Sequence, residues 1–87
     1  MNTEQILAAI DEVRHDVDAW NHATDTRTYT CTAGPLTLSV RPFGTSWMYE
    51  VRHEQEGVVG TLSVNSAAEG RRLALDFATL YLQQVNA

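Results

Sequence analysis

Eighty-seven residues, 44% of them apolar, leave room for one hydrophobic core and no second domain, so residues 1–87 are read as a single unit. No apolar run reaches the ~20 residues that a membrane-spanning helix needs, which excludes a span of that kind. A formal charge of −5 argues against direct nucleic-acid binding, because an acidic surface repels phosphate at long range.

That charge is concentrated at one end. Residues 1–25 hold Glu4, Asp11, Glu12, Asp16, Asp18 and Asp25 against a single arginine, Arg14, whereas the acids and arginines of residues 26–87 cancel. Within this acidic segment, residues 4–20 have the pattern of an amphipathic helix. Ile6, Ile10, Val13, Val17 and Trp20 recur at steps of three and four, with Leu7 and Ala9 beside them. Asn2 or Thr3 is placed to cap the helix, and Glu4 suits the positive end of its dipole. Glu4, Asp11, Glu12, Asp16 and Asp18 fall on the opposite half-turn and form a candidate docking surface for a partner with a basic groove. The alternative is a merely solvated face. His15 and His22 each follow an aspartate by four residues, a spacing that suits ion pairs better than a metal site of three or four ligands.

The polar run 21–26 ends the helix, and a period-two pattern follows. Tyr29 and Cys31, then Leu36, Leu38 and Val40, then Trp47, Tyr49 and Val51, then Val58, Leu62 and Val64 would share one face of a four-stranded antiparallel meander. Turn signals at Ala33 and Gly34, at residues 42–45 and at residues 54–57 separate the strands. Closing those turns pairs Cys31 with Leu36, Val40 with Trp47, and Tyr49 with Leu62, apolar opposite apolar in each case. Thr28, Thr30, Thr37, Ser39, Glu50, Arg52, Thr61 and Ser63 make the other face polar, so both helices must cover the same side of the sheet.

Ser66 followed three residues later by Glu69 is a capping box and opens a second helix that runs to about Gln84. Gly70, Ala74, Phe77, Ala78, Tyr81 and Val85 form its central stripe, and Gly70 would admit the backbone close to the sheet. Leu73 and Leu80 lie on one flank, Leu75 and Leu82 on the other, an arc wider than one sheet face buries. Some flank leucine is therefore expected to meet the first helix, while Leu75 or Leu82 stays partly exposed and sits in a two-fold contact of a homodimer. The fold class expected is α+β, in the order helix, four strands, helix.

No metal-ligand spacing, phosphate loop or oriented nucleophile and base is present, so neither a cofactor nor an enzymatic activity is expected. Cys31 and His53 are the nearest approach to a thiol–imidazole pair, but Cys31 falls on the apolar face as a small core residue. A single cysteine and an N-terminus without a signal-peptide pattern fit the cytoplasm.

The stretch 60–71 (GTLSVNSAAEGR) leads from a strand into a serine-capped helix and resembles the double-stranded RNA-binding domain over roughly residues 27–82. Ser66 matches the cap of that family, and Gly34 with Pro35 echoes its loop between the first two strands. Ala67 and Ala68 stand where the family has its phosphate-gripping lysines, and Arg71 alone keeps a basic side chain there. The resemblance implies a shared layout and not RNA binding. In size, acidity and style the chain also resembles small phage and mobile-element inhibitors of the anti-CRISPR type. That likeness implies a non-enzymatic protein-binding module that blocks a nucleic-acid-handling complex by contact. A small homodimeric structural, assembly or adaptor protein is the alternative.

Overall fold

The computed structural model describes residues 2–85, without the Val17 side chain, and places two helices on one face of an antiparallel sheet. Chain order gives α1 (Thr3–Arg14), a single 3-10 turn (Val17–Ala19), β1 (Asn21–Ala23), β2 (Thr28–Ala33), β3 (Leu36–Phe43), β4 (Ser46–His53), β5 (Gly57–Val64) and α2 (Ala67–Val85). The five strands lie in sequence order, so the sheet is a plain meander with β1 and β5 as its edges.

The α+β class and the placement of both helices match expectation, but the described residues form five strands where four are expected. The extra one, β1, is three residues long and pairs His22 with Tyr29. It has no apolar alternation to announce it. What holds it is a cross-strand stack, with the His22 and Tyr29 rings 4.1 Å apart and nearly parallel.

The first helix is also shorter than its apolar periodicity predicts, ending at Arg14 instead of Trp20. Asn2 caps it, accepting from the Gln5 N–H while the Gln5 side chain accepts from the Asn2 N–H. The aspartates explain the early stop. Asp16 adopts an extended backbone and its carboxylate accepts from the Asp18 N–H at 3.0 Å, a local bond that competes with helix continuation. Trp20 still reaches the core.

Facing along the strands is largely as the alternation requires. Cys31, Leu36, Leu38, Val40, Tyr49, Val51 and Val64 are buried under the helices, and no polar or charged side chain is buried among the described residues. Two registers differ from expectation by two residues: Cys31 pairs with Leu38, and Val40 with Tyr49. The reason lies in the turns, which close as two-residue loops that begin with Gly34 and Gly44 at positive φ. The third register is as expected, with Tyr49 opposite Leu62, but a bulge near Val59 follows. The bulge moves Val58 onto the polar face opposite Arg52.

Ser66 caps α2 by accepting from the Glu69 N–H at 3.1 Å. Two glycines set how closely this helix lies on the sheet. A Cβ at Gly70 would stand 2.7 Å from Val40 Cγ1, and one at Gly60 would stand 2.4 Å from Phe77 Cζ, so backbone and ring occupy space that a methyl group would take.

Candidate functional site

The two flanks of α2 fare differently, and in the opposite sense to expectation. Leu75 and Leu82 are only 4% and 5% exposed. Leu75 turns toward Val13, Arg14 and Trp20, with which it lines one cleft. The first helix therefore fills the flank assigned to a dimer contact, and neither leucine is available to a second chain. The other flank is open: Leu80 is 58% exposed, while Leu73, Phe77 and Tyr81 are half-buried.

The acidic residues are all on the surface. Glu4, Asp11, Glu12, Asp16 and Asp18 are exposed, and among the described residues only Asp11 has a side chain within ion-pair distance that can carry positive charge, His15 at 3.6 Å, which pairs only when protonated. They do not form one helical face. Glu4, Asp11 and Glu12 stand on α1, whereas Asp16 and Asp18 belong to the turn beyond it. Arg14, the one formal cation of the segment, reaches away to Asp76 on α2 at 2.9 Å. This partly exposed pair links α1 to α2 and directs the guanidinium away from its acidic neighbours. His22 is no part of the surface formed by α1, because β1 carries it to the stack on Tyr29.

Between α1, Trp20 and the start of α2 lies an open cleft of ≈ 370 Å³ lined by Val13, Arg14, Trp20, Ala68, Arg71, Arg72 and Leu75. Its three arginines are engaged within the chain. Arg14 and Arg72 share Asp76, at 2.9 and 3.8 Å. The Arg71 guanidinium lies 4.4 Å from the centre of the Tyr29 ring, a cation–π contact. Arg71 is the basic residue of the stretch that resembles the RNA-binding domain, and this contact is where its charge is spent.

Cys31 and His53 are kept apart. Strand β3 runs between them, with Leu38 opposite Cys31 and Leu36 opposite His53. His53 Nδ1 accepts from the Gln55 N–H at 3.1 Å and stiffens the β4–β5 turn. Burial pushes the Cys31 thiol up to about 12, which leaves it a neutral core group at ordinary pH. No cluster of three or more potential metal ligands occurs among the described residues. No helix among them is long and apolar enough to cross a membrane.

A surface that sequence reasoning missed is the free edge of β5. Leu62 faces the helix side of the sheet opposite Tyr49, yet it is 54% exposed, because α2 lies chiefly over β3 and β4. The signal was in the sequence, since residues 57–64 (GVVGTLSV) contain no charged side chain, but alternation alone reads Leu62 as core. Comparison with protein-family models, curated proteins and solved structures finds no match to this chain.

Proposed function

We propose that the chain is a non-enzymatic protein-binding module, an inhibitor or adaptor that docks its acidic end on a partner with a basic surface. The observation that supports this reading is the unneutralised charge around α1. Glu4, Glu12, Asp16 and Asp18 are exposed and lack ion pairs among the described residues, while Arg14 is held by Asp76. Charges left in solvent act mainly on encounter: they steer a basic partner into contact and penalise acidic ones. A basic groove that otherwise receives nucleic acid has the complementary chemistry.

The test begins with capture of partners from the source cell on the parent chain and on a variant with Asp11→Lys and Asp18→Lys. Both residues are exposed, so the variant should fold. A partner that belongs to this surface associates more slowly with the variant, and its association rate loses most of its salt dependence. A partner that binds the variant at an unchanged rate in low salt would refute the docking role of these aspartates.

A further inference from the structure

The two sheet edges differ in a way that bears on self-association. An unpaired edge strand offers a row of N–H and C=O groups to any other strand, and proteins blunt such edges with charge, proline, bulges or brevity. The β1 edge is protected by its length of three residues. The β5 edge is eight residues long and has neither charge nor proline. Its bulge near Val59 disturbs the first half, leaving residues 60–64 as a regular run with Leu62 at the centre. Apolar groups accompany that run, with Leu62 54% exposed and Leu80 58% exposed on the outward flank of α2.

The charge distribution selects the occupant. Residues at a two-fold axis meet their own copies, so an acidic chain avoids like-charge contact there only where the strip at the axis is neutral. Residues 57–66 form such a strip, free of acids and arginines. The acidic α1 packs on α2 and β2, away from the β5 edge.

We propose that β5 pairs antiparallel with β5 of a second copy of this chain, with the two-fold axis near Leu62, so that the two sheets join into one. Main-chain bonds along residues 60–64 supply the pairing, and Leu62 meets its counterpart across the axis while Leu80 closes the contact on the helix side. This surface is separate from the acidic docking surface, and either can fail without the other.

Charge swapping at the axis tests the pairing. Leu62→Lys sets two ammonium groups opposite one another, and Leu62→Glu sets two carboxylates. By sedimentation the parent should weigh twice its 9.7 kDa at about 100 µM, a concentration that suits a micromolar contact. Each variant should dimerise at least about tenfold more weakly, and an equimolar mixture of the two should recover the dimer. Recovery on mixing separates a broken contact from a broken fold. Should a variant misfold, amide exchange on the parent decides the matter, since residues 60–64 must gain protection as concentration rises. A parent that stays at 9.7 kDa under these conditions overturns the proposal and leaves the edge to a strand of another protein. Variants that dimerise like the parent overturn it as well.

Discussion

Replacing Gly60 with alanine measures how tightly α2 is seated on β4 and β5. The added Cβ would lie 2.4, 2.5 and 2.8 Å from the Cζ, Cε1 and Cε2 atoms of Phe77. Carbon atoms sit comfortably at ~3.5–4.0 Å, so the ring must retreat by about 1 Å or more. It cannot carry the helix with it cheaply, because Ala74, Ala78 and Leu82 are buried against the sheet and α1. Swinging the ring outward instead disturbs its contacts with Tyr49 and Tyr81, both at 6.4 Å between centroids. Overpacking of this kind costs roughly 1–3 kcal/mol, while removing a glycine from the unfolded chain returns about 0.4–1 kcal/mol. The net expected is a loss of about 1–2 kcal/mol, which at this chain length lowers Tm by roughly 5–15 °C. Thermal and urea melts read it directly. In a Phe77→Leu background the same Gly60→Ala change should cost little, because the shorter side chain vacates the space. Equal cost in both backgrounds, or a Gly60→Ala protein that melts at or above the parent, would refute the seating described.

Leu38, fully buried, should lose roughly 2–5 kcal/mol on truncation to alanine, and half-buried Trp47 less; urea melts showing the reverse order would move the core toward the sheet end. Because burial raises the Cys31 thiol from 9.0 to about 12, its neutral form stabilises the fold fully below pH 9, and that stability is lost as pH rises through this window. Cys31→Ala should flatten the alkaline limb of the stability curve, leaving a slope of the same sign from Tyr49, which burial also raises. Arg14→Ala removes a partly exposed pair with Asp76 and should cost under about 1 kcal/mol in a chemical melt, less at high salt.

What the sequence made legible was parity. Alternation assigns each strand residue to a face, and for Cys31, Leu38, Val40, Tyr49 and Val51 that assignment matches their burial. Register is another matter. A slip of one residue would have exposed the core, but a slip of two keeps every side chain on its face, so apolar pairing cannot distinguish Cys31 opposite Leu36 from Cys31 opposite Leu38. Turn chemistry could have done so, through the glycines that open the loops at Gly34 and Gly44. Helical periodicity likewise gave α1 its buried face, Ile6 and Ile10, but overran the point where Asp16 bonds the Asp18 N–H. The flank of α2 covered by α1 was illegible because both flanks carry leucines, and the choice between them depends on which way the chain crosses the sheet. The candidate surfaces divide in the same way: the acids were readable as charge, whereas the exposure of Leu62 follows from α2 lying chiefly over β3 and β4.

The two proposed surfaces acquire a joint consequence from their placement. Pairing at β5 sets the edges of two copies together, and α1, which packs over the β2 side of the sheet, is carried to the far side of each copy. β2 lies three strand spacings, about 14 Å, from β5 in each copy, so the acidic ends of a dimer stand further apart than the Debye length of ~8 Å at physiological salt. Their mutual repulsion is then screened, and a −5 chain can associate with itself without bringing its charge together. Such a dimer presents two acidic ends to a partner assembly, and where that assembly repeats its basic surface the second contact forms at high effective concentration. Leu62→Lys, which is aimed only at the pairing, should then leave single-site association with an isolated partner intact while weakening capture of the repeated one. The Asp11 and Asp18 reversal should impair both, and capture of the repeated partner the more, since each of its two contacts is weakened. If Leu62→Lys has no effect on capture of a repeated partner although the parent is a dimer, the two surfaces work independently and avidity plays no part.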